Sequence, residues 1–283
     1  MKSWQFIFHL LMAGVFSGVI TKSALAYELF NPQSFGLGRS VILSEPTAST
    51  LVNVPAFLAR GIWKFESGYL RTYELSELDQ LILSAGYRVN NITFGLGLSQ
   101  FGKSDLYSER IIRGLMGYNH ERWVFSATLS AMMVEIGNDK GSFRTATFGL
   151  GAAYRNRVSM LYLALETDNL TSPKLYDGAQ KTEPTGSLYA QFNAAKSFSF
   201  TGRLRVEKFQ SPRFSLGQRI QIADEAAVHW GFISKPFEYG AGFDLGLGGI
   251  RFGYATAIHP VLGFSHAISL GYGQRTKQTE DWE

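Results

Sequence analysis

Ser265 and His266 are the neighbours in this sequence that most resemble catalytic equipment, a hydroxyl beside an imidazole. A nucleophile and its base must lie within hydrogen-bond reach of each other. The residues around them alternate bulky and small, which reads as a strand, and adjacent strand residues point to opposite faces. The two therefore cannot act together. Of the other histidines, His9 falls in a leader and His120 in an expected turn, while His229 and His259 show no His-x-Glu or paired spacing that would mark a metal site. Cysteine is absent, which removes thiolate chemistry and disulfides alike. No enzyme, cofactor or metal is expected.

Charges at alternating positions are the second chemical signal. From residue 198 onward, Phe198, Phe200, Leu204 and Val206 alternate with Ser199, Thr201, Arg203, Arg205 and Glu207. If the apolar set faces lipid, the charged set faces an enclosed lumen, and parity in other strands adds Arg113, Arg219 and Arg251, with Lys64 and Glu66. One reading is a polar ring that guides a solute's headgroup. The other, the ordinary condition of barrels, is a set of charges that solvate the interior and pair with a plug. The same parity predicts that Phe200→Arg impairs assembly and that Thr201→Arg is tolerated.

These side chains need strands to carry them. Between Asn91 and Phe101, Ile92, Phe94, Leu96 and Leu98 oppose Thr93, Gly95, Gly97 and Ser99. Trp123, Phe125, Leu129 and Met133 oppose Ser126, Thr128 and Ser130 in the same way, and Leu262, Phe264, Ile268, Leu270 and Tyr272 oppose Gly263, Ser265, Ala267, Ser269 and Gly271. Period two with one greasy and one small or polar face suits a closed antiparallel wall with lipid outside. Breaks near residues 74–79, 90, 103–106, 119–120, 137–141, 156, 171–183, 211–212, 224, 236, 248 and 260 predict an all-β transmembrane barrel of about fourteen strands, an even number being the rule. Closure follows because an open edge in hydrocarbon leaves backbone groups unpaired. Trp63, Tyr69, Tyr73, Trp123, Tyr162, Trp230 and Tyr254 could stack on a ligand, but most of them are expected in the interfacial girdles. Gly36, Gly38, Gly248 and Gly249 read as backbone-conformation residues.

Composition agrees. The 283 residues hold 30 Gly, 22 Phe and 13 Tyr with only 18% charged residues, and the mean hydropathy is -0.03, as expected where lipid-facing and lumen-facing residues average out. Net charge is +4, with no basic block, so nucleic acid is not implied. Lys2, an apolar run from Phe6 to Ile20, and Ala24-Leu25-Ala26 predict a cleaved secretory leader over residues 1–26. Beyond it no apolar stretch reaches the length of a membrane-spanning helix. Residues 61–274 read as the barrel and 275–283 as a polar tail. Residues 27–60 lack alternation, and Thr47 to Leu58 predicts a short helix broken at Pro55.

In that amino-terminal stretch, Phe35-Gly36-Leu37-Gly38-Arg39 followed by Ser49-Thr50-Leu51-Val52-Asn53-Val54-Pro55-Ala56-Phe57-Leu58-Ala59 resembles the Gly-x-Gly and Asn-Pro-Ala motifs of the fatty-acid-transporter-like (FadL-like) outer-membrane barrels. Arg251 to Ala255, His259 to Tyr272, and Asp168-Asn169-Leu170 are similar to the PorV-like and PorQ-like branch. The resemblance implies a fourteen-stranded barrel with residues 27–60 inside as a plug or hatch, in which Gly36, Gly38, Asn53, Pro55 and Ala56 belong to the plug motifs. It also implies a group that includes importers of hydrophobic molecules and structural partners in secretion. The chain departs from the motif at Val54, where the Asn should stand, with Asn53 one place early, and in the charged run from Gln274 to Glu283 beyond Tyr272. Two functions follow: a channel or transporter for hydrophobic or amphipathic small molecules, or a non-conducting PorV-like scaffold that binds a secreted or surface protein. Either would sit among outer-membrane lipid.

Overall fold

A computed structural model describes residues 29–103, 107–137, 141–156, 158–172, 183–208 and 210–274. The expected leader, the polar tail and most of the Thr171–Glu183 connection lie outside the described residues. Fourteen antiparallel strands close on themselves: β1 (Trp63–Arg71), β2 (Asp79–Val89), β3 (Ile92–Lys103), β4 (Tyr107–His120), β5 (Trp123–Ile136), β6 (Gly141–Asn156), β7 (Leu161–Asp168), β8 (Thr185–Ala195), β9 (Phe198–Glu207), β10 (Arg213–Ala223), β11 (Ala226–Ser234), β12 (Phe237–Leu247), β13 (Ile250–His259) and β14 (Gly263–Gly273). Each strand pairs with its sequence neighbours, and β1 completes the ring against β14, from Lys64 opposite Gly273 to Arg71 opposite His266. The wall therefore has no free edge along that seam, which is what a low-dielectric surrounding demands.

Side-chain parity holds as the alternation predicts. Ile92, Phe94, Leu96, Leu98, Phe125, Leu129, Phe200 and Leu204 are exposed on the outside, while Thr93, Ser99, Ser126, Thr128, Ser130 and Thr201 are buried within. Ser265 is buried and His266 half-exposed on the other face, so they do diverge. An outward apolar band with a small, polar inner face is a membrane-spanning barrel.

The structure corrects several details. A turn at residues 196–197 separates β8 from β9 and supplies a break missing from the sequence-based set. His120 is the exposed last residue of β4, and the turn lies at residues 121–122. Tyr162 faces inward, its ring 5.8 Å from that of Phe57, and Tyr73 sits in a 3-10 turn (Thr72–Glu74) over the barrel end, so neither belongs to a girdle.

Two helices precede β1. α1 (Pro32–Gly36) was not anticipated; Asn31 caps it by accepting from the Ser34 amide at 2.7 Å, and Pro32 supplies the preset φ of a first helical residue. α2 (Ala48–Asn53) is capped by Thr47 and stops at Val54, because the residue before Pro55 is pushed out of the helical region. Packing inside the ring explains the burial of this segment. α1 contacts β11 to β14, and α2 contacts β1 to β4. Phe35, Leu37, Ile42, Leu43, Leu51, Val52, Val54 and Leu58 are almost fully buried, each contributing about 1.5–3 kcal/mol of burial. The apolar core of the protein is thus the interior segment and its seat.

Candidate functional site

The seam between the amino-terminal segment and the inner wall brings together the charged residues expected there. Arg113 on β4 donates from Nε to Ser130 Oγ at 2.9 Å, from Nη1 to Asn53 Oδ1 at 3.1 Å, and from Nη2 to Asp168 Oδ2 at 2.8 Å. Asn53 in turn donates to the Leu29 and Ser49 carbonyls at 2.6 and 3.1 Å. The displaced Asn is therefore one polar joint between α2 and the wall, at β4. On β9, Arg203 donates to the Arg39 carbonyl at 3.3 Å and to Ser187 Oγ at 3.2 Å, and covers the Tyr189 ring. The Tyr189 hydroxyl donates to Glu166 Oε2 at 3.0 Å. Arg219 lies 3.8 Å from Glu45, Lys64 donates to the Pro46 carbonyl at 2.6 Å, and Glu66 accepts from both the amide and the hydroxyl of Ser49.

The remaining candidates stand apart from the segment. Glu207 pairs with Arg213 at 3.0 Å, with Arg205 opposite Arg213 in the ladder, all at one end of the lumen. Arg251 faces inward at the other end, beside Gly271 of β14 and Gly246 of β12. Buried ion pairs are held by geometry and extra hydrogen bonds rather than by net attraction, so these contacts fix where the segment sits more than they strengthen the fold.

Glycine fits the rest. A Cβ at Gly240 would lie 2.7 Å from the Phe35 carbonyl oxygen, one at Gly95 2.7 Å from that of Leu51, and one at Gly151 2.9 Å from the Pro55 ring. The wall is indented where the segment's backbone rests. Gly36 lies against the His229 ring, Gly38 takes φ +65° against the backbone of Phe232, and Ala56 is buried.

Further contacts escaped sequence reasoning. Gln33 donates to Asp244 at 3.1 Å, and Gln191 accepts from the Leu43 and Ser44 amides at 2.6 and 3.0 Å. Arg39 lies between the Phe30 and Phe35 rings, 4.3 and 4.4 Å from their centroids, and pairs with Glu238 at 3.4 Å. Glu238 also accepts from the Tyr73 hydroxyl at 2.9 Å, and burial together with that carboxylate holds the Tyr73 phenol well above its ordinary pKa. Inward parity was the available signal for Gln191 and Glu238, but nothing local names their partners.

A cavity of about 20 Å3, room for one water, opens on this seam. Leu29, Phe30 and Val54 line it from the segment, and Glu166, Tyr189 and Arg203 from the wall. Among the described residues, no group of histidines and carboxylates could hold a metal ion.

No protein-family model matches the chain, and no curated protein matches it. Solved structures do match. The Pseudomonas putida toluene transporter TodX superposes with a TM-score of 0.61 at 11% identity, over 88% of this chain and 99% of that one. The TodX deltaS2S3 mutant monoaromatic hydrocarbon channel gives 0.63 at 10% identity, over 89% and 100%. A Pseudomonas aeruginosa FadL homologue gives 0.57 at 11% identity, over 86% and 97%. At such identities the likeness is one of fold: the closed barrel has the architecture of these structures.

Proposed function

We propose that this protein is an outer-membrane channel for hydrophobic or amphipathic small molecules, and that residues 29–60 are its plug. The observation that carries the reading is the two-sided seam. The segment side mixes apolar Leu29, Phe30 and Val54 with polar Ser34, Ser49 and Asn53, and the wall side offers a buried carboxylate, phenol and guanidinium, so both the apolar and the polar parts of an amphipathic molecule would find partners there once the segment shifts. The FadL-like fold, shared with a toluene transporter and a hydrocarbon channel, supports it. In this reading Arg113, Arg203 and Arg219 hold the plug when it is seated and face the solute when it shifts, while Arg205, Glu207 and Arg251 line the two mouths.

A scaffold draws less support. Apart from the connection between Asp168 and Thr185, the links at the end opposite the short turns are brief and offer a protein partner little to grip.

The chain has no cysteine, so a single disulfide can be introduced between Ser49→Cys and Glu66→Cys, whose native side chains touch across the seam. In liposomes, oxidation should block uptake of a labelled hydrophobic solute and reduction should restore it, while deletion of residues 46–53 should raise leakage. If uptake ignores the cross-link and the deletion leaves liposomes equally tight, the channel reading fails and the scaffold takes its place.

A further inference from the structure

The link from β1 to β2, residues 72–78, lies at the end opposite the short turns, which faces the exterior in barrels of this kind. It consists of two 3-10 turns, Thr72–Glu74 and Ser76–Leu78. One residue ties it down over the barrel end. The Tyr73 amide donates to Ser265 Oγ on β14 at 2.9 Å, the ring meets the His259 ring of β13 edge-on with centroids 5.7 Å apart, and the hydroxyl donates to Glu238 Oε1 on β12 at 2.9 Å. Tyr73 therefore reaches from the end of β1 across β14 and β13 to β12.

The backbone there is unfavourable by itself. Tyr73 and Glu74 have φ of 53° and 59°, two successive non-glycine residues in the left-handed region. Such a conformation persists only where surrounding contacts over-determine it, so losing the Tyr73 contacts should release the link. On its other flank the link is held from β3, where Lys103 donates to Ser76 Oγ and Glu77 Oε1 at 3.0 and 3.2 Å in an exposed attachment.

The carboxylate that receives Tyr73 also receives the interior segment. Glu238 is only 5% exposed, and its Oε2 pairs with Arg39 Nη2 at 3.4 Å. Arg39 is wedged between the Phe30 and Phe35 rings, so its position follows that of α1. A buried carboxylate is costly once a donor leaves it, and hydrogen bonds that share one group strengthen each other. Each donor thus keeps Glu238 in place for the other.

We propose that residues 72–78 form a lid over the outer mouth, and that its closure is coupled to the seating of the interior segment through the Glu238 carboxylate. Such coupling is reciprocal. Lifting the lid loosens the segment, and displacing the segment loosens the lid, so an event at the outer surface is felt inside the lumen. The coupling concerns seating alone and stands whether or not the barrel conducts.

Hydrogen exchange read by mass spectrometry on the purified full chain in detergent tests it, each variant being read on the element it does not alter. Tyr73→Phe removes the hydroxyl and keeps both the ring and the amide contact; it should speed exchange in residues 33–38 by about fivefold or more, the lower end of ordinary coupling between sites. Arg39→Gln should speed exchange in residues 72–78 by a similar factor. Lys103→Gln frees the exposed flank of the lid without touching Glu238, and should leave residues 33–38 at the native rate. The coupling is refuted if Tyr73→Phe leaves residues 33–38 unchanged, if Arg39→Gln leaves residues 72–78 unchanged, or if Lys103→Gln loosens residues 33–38 as much as Tyr73→Phe does. Should Arg39→Gln not fold, the contrast between Tyr73→Phe and Lys103→Gln decides.

Discussion

Alanine at Gly240 or Gly95 separates the seating of the interior segment from the integrity of the wall. At both positions the nearest atoms to an added Cβ belong to the segment's own backbone: the Phe35 and Gly36 carbonyl oxygens at 2.7 and 2.8 Å for Gly240, and the Leu51 carbonyl oxygen and carbon at 2.7 and 3.1 Å for Gly95. Forcing atoms into a packed space costs about 1–3 kcal/mol. Alanine in place of glycine within a strand returns about 0.5–1 kcal/mol. Taking the middle of each range leaves a net loss of about 1.3 kcal/mol per site, close to a tenfold rise in the unseated population. The two sites lie under different helices, so the double variant should show both effects, each about tenfold in its own helix. Hydrogen exchange read by mass spectrometry on peptides covering 33–38 and 48–54 measures this directly. Gly240→Ala should speed exchange in the first and Gly95→Ala in the second. Gly114→Ala is the control, because nothing lies within 4 Å of its Cβ. If Gly114→Ala speeds exchange as much as the others, or if neither seat mutation does, the indented-wall account is wrong.

Arg113→Ala leaves the Asp168 carboxylate buried without its cation and should cost about 3–5 kcal/mol, read as a lower unfolding midpoint in detergent; a change below about 1 kcal/mol would contradict the pairing at 2.8 Å. Leu129, 65% exposed on the outer face, should lose about 2–4 kcal/mol as Leu129→Arg if it lies near the bilayer midplane, seen as lost heat-modifiable migration on gels. The raised pKa of Tyr73 means that its contribution is complete below the unfolded value of about 10 and declines as pH rises above it; Tyr73→Phe should flatten that alkaline loss in a pH series of unfolding midpoints.

Strands were legible because burial on one face and lipid on the other impose period two, and residues 92–98 or 198–206 carry little else. The turn at Lys196 and Ser197 was not, since Lys196 is no turn former, the Ser197 hydroxyl signals a turn only weakly, and the β8–β9 register shifts just before it, between Asn193 and Ala195. α1 carried its signal in Asn31 and Pro32, but five residues are too few for periodicity to show. The lumen-facing charges were found by parity alone. Their partners were not, because Gln33 meets Asp244 and Arg39 meets Glu238 across 211 and 199 residues. Thr201 shows where parity misleads: it does face inward, yet it is only 3% exposed and stands beside the Gly217 seat of Leu37, so the tolerance expected of Thr201→Arg has no room to be realised.

The segment that fills the lumen is the earliest part of the described chain, yet α1 rests on β11, β12 and β13, which are among the last strands to be made. Its native place does not exist until nearly the whole wall has been synthesised. β1 follows the segment directly and must also find β14. Contacts of such sequence separation form late and slowly. Chain order and assembly order therefore run opposite ways here: a segment that precedes every strand of the wall settles only after the last strands exist, and joining the two ends of the wall and enclosing what lies within become a single step.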